Sequence, residues 1–105
     1  MTKVVIYNRC NGQPEITKKY SEICIDMAYV LDYEVVGVFT DEYNHVVGLE
    51  QAAQVIKVGE AEIFISFNKT TLSRNIAEFN EFQKKIHAWE ARLQLFNPET
   101  FPEEV

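Results

Sequence analysis

Arg9, Arg74 and Lys69 are the side chains whose type and position suggest chemistry first, because each lies in a connection that follows a short apolar run. Cationic groups at such places bind phosphate or sulfate, and guanidiniums do so in a planar fork. Three neighbours are nucleophiles by type: Cys10, Ser66 and Ser73. A thiolate at Cys10 requires a lowered pKa, which the adjacent Arg9 favours. A serine requires a base, and neither His45 nor His87 lies near Ser66 in the sequence. Each also has a plainer reading. Cys10 packs as the end of a buried strand, Ser66 satisfies backbone groups, and Ser73 hydrogen-bonds at a helix start. For Arg9 and Arg74 the alternatives are an anion pocket or ion pairs with Asp41 or Glu42 that hold the loops. The segment Asn8–Gln13 has one glycine and no lysine, which excludes a P-loop and a dinucleotide fingerprint. A receiver-type phosphoacceptor site is excluded too, because Asn8 and Ser66 or Asn68 stand where carboxylates are needed. His45 and His87 fall in different elements, and Cys10 and Cys24 have no zinc spacing. No metal and no cofactor is therefore expected, and the two thiols are expected to stay reduced.

Four β-rich runs would position these residues: Lys3–Tyr7, Glu34–Phe39, Glu62–Phe67 and Arg92–Phe96. Three helical patterns lie between them. From Pro14 to Leu31 the stripe is Ile16, Tyr20, Ile23, Met27 and Val30; from Gly48 to Val58 it is Leu49, Ala52, Ala53 and Ile56, closed by Gly59. From Asn75 to Trp89 it is Ile76, Phe79, Phe82, Ile86 and Trp89, with Asn75 and Glu78 at capping-box offset. All three stripes are read as core; Trp89 with Phe79 and Phe82 could alternatively form an exposed partner patch. Alternating strands and helices predict an α/β domain: a four-stranded, mainly parallel sheet with helices on both faces, in three layers. Its active edge is then the loops Asn8–Gln13, Thr40–Val47 and Asn68–Arg74. Residues 1–97 form the domain, and 98–105 an acidic, mobile C-terminal tail.

The chain has 105 residues, sixteen acidic and ten basic, with a formal charge of −6 and 47% hydrophobic residues. This is enough apolar material for one core, which excludes disordered and low-complexity classes. No run is long enough to cross a bilayer and no signal peptide is evident, so no membrane association and a cytoplasmic location are expected. Arg9, Arg74 and Arg92 are the only arginines, and an acidic chain so poor in arginine grips DNA weakly, or through a partner.

Four segments in order carry a family resemblance: Ile6-Tyr7-Asn8-Arg9, Tyr33 to Asp41, Gly48-Leu49, and Leu72-Ser73-Arg74-Asn75. Together they resemble the N-terminal catalytic domain of serine recombinases, the resolvase/invertase family, over roughly Val4 to Asn97. The resemblance implies a resolvase-like fold and attack by a serine hydroxyl on a DNA phosphodiester, with arginines stabilising the charge that develops on phosphorus. The residues depart from that pattern at most of the catalytic positions. Where the family has a Tyr-x-Arg-Val-Ser motif, this chain has Tyr7-Asn8-Arg9-Cys10-Asn11, so Arg9 is kept and the nucleophile position is Asn11. The family's Arg-Pro-Gly-Leu entry to the second helix is Val46-Val47-Gly48-Leu49, and its Asp-Arg-Leu-Ser-Arg loop is Thr70-Thr71-Leu72-Ser73-Arg74. An amide cannot form the phosphoryl link, and losing one charge-stabilising donor typically costs about 100- to 1,000-fold in rate.

The resemblance therefore implies a degenerate site at Asn11, Val46, Thr70 and Thr71, with Arg9, Arg74 and Lys69 as anion-binding candidates. The family's chain continues into a long dimerisation helix and a helix-turn-helix domain, whereas this one stops at Val105. The expectation is an inactive recombinase-like domain acting through a protein partner or a second copy, as a regulator in a mobile-element or recombination context. The alternatives are an active recombinase using a displaced nucleophile or partner-supplied residues, and a small anion-binding module.

Overall fold

The structure is a computed structural model describing residues 1–43, 45–73, 75–99 and 103–105. Its strands are β1 (Lys3–Cys10), β2 (Glu34–Glu42), β3 (Ile63–Ser66), β4 (Arg92–Leu95) and β5 (Glu103–Glu104), and its helices α1 (Pro14–Val30), α2 (Val47–Lys57), α3 (Lys69–Leu72) and α4 (Ile76–Ala88). The sheet order is β2-β1-β3-β4-β5. The first four strands are mutually parallel, and β5 pairs antiparallel with β4 through Gln94–Glu104 and Leu95–Glu103.

Right-handed crossovers decide which helix covers which face. The chain moves one way from β1 to β2 and the opposite way from β2 to β3 and from β3 to β4. Accordingly α1 lies on one face, against Val4, Ile6, Ile63 and Ile65, while α2 and α4 cover Val5, Tyr7, Phe64 and Leu93 on the other. The strand alternation is thus divided between two cores, and the expected three-layer α/β architecture is present. On the second face Phe64 meets Phe82 edge-on at 4.8 Å between ring centres. Truncating a ring buried like that of Phe64 costs about 3–5 kcal/mol.

The α1 stripe sits one residue away from its expected place. The buried positions are Thr17, Ser21, Cys24 and Ala28, flanked by half-buried Tyr20, Ile23 and Met27, while Ile16 and Val30 are exposed. Small side chains let the helix axis approach the sheet, and the larger ones reach down its flanks; Tyr20 stacks on Phe67 at 3.9 Å. On α4, Phe79 and Ile86 are buried and Phe82 and Trp89 pack half-buried against the core, but Ile76 is exposed.

All three long helices end in the same way. The residue past the C-cap has positive φ, at Asp32, Gly59 and Glu90, and paired bonds run back to the last turn: Tyr33 N to Ala28 O, Glu60 N to Val55 O, and Ala91 N to Ile86 O. Only Gly59 signals this ending by residue type, because glycine alone adopts that conformation without strain.

The segment expected to be a mobile tail is in part docked. Val105 N donates to Leu93 O at 2.9 Å, and Val105 packs against the second core. The sheet therefore has a fifth, short strand that composition did not suggest. No helix among the described residues is long and apolar enough to cross a membrane.

Candidate functional site

The carboxyl ends of β1 and β3 are held together by a buried polar chain. Asn8 is fully buried; its Oδ1 accepts from Ser66 Oγ (3.1 Å) and Phe67 N (2.9 Å), and its Nδ2 donates to Ser21 Oγ on α1 (3.2 Å). Ser66 Oγ also bonds Thr71 Oγ1 at 3.1 Å. Thr71 accepts from Asn68 N and donates to Asn68 O, while Asn68 Oδ1 accepts from Thr71 N. These bonds form a capping box on α3, a one-turn helix where sequence reasoning placed only a loop. The Asn68–Thr71 spacing was the available signal. Ser66 is therefore a structural hydroxyl, as is Ser21. Beside them Cys24 is buried, and desolvation pushes its thiol up to about 12, with the Asn8 side chain opposing.

The opposite side of β1 holds Tyr7, Asp41 and Arg9. Asp41, on β2, is buried and accepts three bonds: Tyr7 Oη (2.8 Å), Gly48 N (2.7 Å) and Leu49 N (2.8 Å). It thereby supplies the N-terminal cap that α2 lacks locally, where Val46 stands at the cap position. Gly48 is required for this approach, since a Cβ there would lie 2.5 Å from Thr40 O. Burial and the Asp41 acceptor drive the Tyr7 hydroxyl far above its usual range, opposed by Arg9. Asp41, one of the two acids offered as ion-pair partners in the alternative to an anion pocket, has both its oxygens directed to these donors. Nothing local in the sequence marks it as a cap for a helix six residues further on.

Arg9 is 8% exposed, and its Nε is buried with no hydrogen-bond partner. It lines a cleft of about 400 Å³ between α2 and α4, with Val46, Leu49, Leu72 and Phe82 as apolar wall and Ser73, Glu78, Glu81 and Lys85 as polar lining. Of the residues singled out in the sequence, the cleft thus gathers Arg9, Val46 and Ser73. Lys69, Thr70, Thr71, Asn11 and Cys10 are not among its described lining residues. Lys69 lies with its Nζ 5.6 Å from the centre of the Phe79 ring, Thr70 is exposed and bonds Asn68 Oδ1, and Thr71 is buried in the polar chain. Asn11 is half-buried with its Oδ1 unpartnered, and Cys10 is buried at the end of β1. Ser73 Oγ contacts Glu78 Oε2 and Asn75 O, so the Asn75–Glu78 box is one-sided: Asn75 caps α4, and Glu78 turns to Ser73. Arg74 lies outside the described residues.

Three solved structures share this fold. A resolvase family site-specific recombinase from Streptococcus pneumoniae matches with a TM-score of 0.82 and 18% identity, over 98% of this chain and 76% of its own. The C-terminal catalytic domain of ISC1926 TnpA, an IS607-like serine recombinase, matches at 0.81 and 18%, over 89% of this chain and 68% of its own. The N-terminal catalytic domain of TP901-1 integrase matches at 0.81 and 12%, over 96% and 81%. No protein-family model and no curated protein matches the sequence. The chain has the serine-recombinase catalytic-domain fold, as its motifs led one to expect.

Proposed function

We propose that this chain is a serine-recombinase-fold domain that performs no phosphoryl transfer and works inside the cell through protein contacts, as an accessory or regulatory element of DNA recombination. One observation carries the reading: the hydroxyls of Ser66 and Thr71 are committed to the buried chain of hydrogen bonds, and the family resemblance puts the amide of Asn11 at the nucleophile position. An amide cannot form the covalent phosphoryl intermediate. Val46 and Thr71 stand where the family resemblance implies guanidiniums, leaving no fork at those positions for a charged phosphorane. The test is incubation with supercoiled plasmid. Neither nicks nor a protein–DNA adduct are expected from the wild type, and an adduct that Asn11→Ala abolishes overturns the inactivity claim.

A second reading is favoured by Arg9. A buried guanidinium with a free Nε beside a cleft is arranged to accept an anion, so the domain retains a phosphate or sulfate site even without chemistry. Ligand at ten times its dissociation constant stabilises the folded state by about 1.4 kcal/mol. Thermal stabilisation by millimolar phosphate, removed by Arg9→Ala and by Arg74→Ala, is the expected result. No shift in the wild type discards this site.

A further inference from the structure

We infer that the outer edge of β2 is a docking site for an extended segment of a protein partner, one with β-branched side chains in its middle and Lys or Arg at its ends. The inference deepens the reading that the domain works by protein contact and gives that contact a place.

β2 ends the sheet order, so one of its two edges has no strand beside it among the described residues. Exposed edges are ordinarily blunted by Lys or Pro, by short length or by bulges. Over its nine residues, Glu34 to Glu42, β2 contains neither Lys nor Pro, and its one irregularity lies between its partners of Val4 and Val5. From Gly37 to Glu42 its register with β1 is unbroken. Val36 and Val38 on this strand are 39% and 43% exposed, although a β-branched side chain is best accommodated against a neighbour.

A groove of about 430 Å³ runs beside the strand, with Val38 and Thr40 on one wall and Thr17, Ser21 and Ile25 of α1 on the other. Strand addition uses these two features together: free backbone groups supply affinity, and a pocket for alternate side chains supplies selectivity. The charges around the edge name the partner. Glu34 and Glu42 close its two ends, and Glu22 stands on the α1 wall with Lys18 as the opposing cation among the groove's described residues. A second copy of this chain fits poorly. Antiparallel pairing that sets Val38 against its own copy places Glu34 across from Glu42 twice, and like charges directly opposite are destabilising. A segment with cationic ends meets the same carboxylates favourably.

The probe is a blocked peptide of alternating valine and threonine with paired lysines at each end, titrated into the full ¹⁵N-labelled chain. The control has glutamates in place of the lysines. Saturable amide shifts confined to β2 and the α1 wall are expected, with about tenfold weaker binding of the control. Val38→Lys, which adds charge on the exposed side of the strand, is expected to abolish binding at an unchanged melting temperature. The double variant Glu34→Lys/Glu42→Lys is expected to reverse the peptide preference. Absence of binding at millimolar peptide, shifts centred on the α2–α4 cleft, equal binding of both peptides, or dimerisation of the free chain through β2 each overturn the proposal. The DNA-adduct assay does not involve this edge, so failure of the inactivity reading and failure of the docking site are told apart.

Discussion

The two sides of β1 at its carboxyl end use polar residues in opposite ways. Toward β3 and α1, Asn8, Ser21, Ser66 and Thr71 form a chain in which every member has a partner inside the fold. On the α2–α4 side Arg9 is also buried, at 8% exposed, yet its Nε has no partner. Buried polar atoms without partners are uncommon because each forfeits its hydration. The first side therefore reads as the framework that locks the strand ends. The second is the side on which the proposed anion site lies. Thr71 marks the division, because a position that the family resemblance assigns to a catalytic guanidinium here caps α3 and bonds Ser66.

The comparison breaks most visibly at Thr71. Thr71→Arg, which restores the resemblance, is expected to lower stability by about 3–5 kcal/mol, because a long cation enters a position 5% exposed and displaces the capping box. Urea unfolding checks it; a variant as stable as the wild type would show that the polar chain is not the framework described.

Asn8→Leu is expected to cost about 3 kcal/mol by leaving Phe67 N and Ser21 without their side-chain partner. The same urea measurement reads it.

A third, smaller effect is alkaline. The Cys24 proton is held more tightly in the folded chain, with the thiol moved from its ordinary 9.0 up to about 12 by burial. Its contribution is complete below pH 9 and is lost as pH rises toward 12, since the unfolded chain then binds fewer protons. Comparing urea midpoints of the wild type and Cys24→Val from pH 8 to 11 should show a steeper decline in the wild type. The raised Tyr7 hydroxyl adds a decline of the same sign in both proteins.

The smallest effect belongs to the other side. Arg9→Met removes a buried charge while keeping bulk, and it is expected to change stability by less than about 0.5 kcal/mol or to raise it. Phosphate-dependent stabilisation should disappear in the same variant. A loss comparable to that of Asn8→Leu would place Arg9 in the framework and erase the contrast.

Much of the fold is legible from local pattern. The four parallel strands lie where the β-branched runs are, Pro14 opens α1, Gly59 ends α2 and Asn75 caps α4, because each is an effect between residues a few positions apart. The α1 face was misjudged since amphipathic spacing rewards large side chains, whereas close approach to a sheet selects Ser21, Cys24 and Ala28. The candidate site was only partly legible. Arg9, Val46 and Ser73 do converge on one cleft, but Lys69 turns to Phe79, and Thr70 and Thr71 serve α3.

The sequence by itself determined the α/β alternation and the acidity of the chain, since these depend on residue type and short-range order. Only the tertiary structure decided that Asp41 caps α2 and that Asn8 ties β1 to β3 and α1. Those outcomes join residues separated by 7 to 59 positions. Such pairings follow from how strands order themselves across a sheet and how closely helices can pack upon it, and no local spacing encodes either.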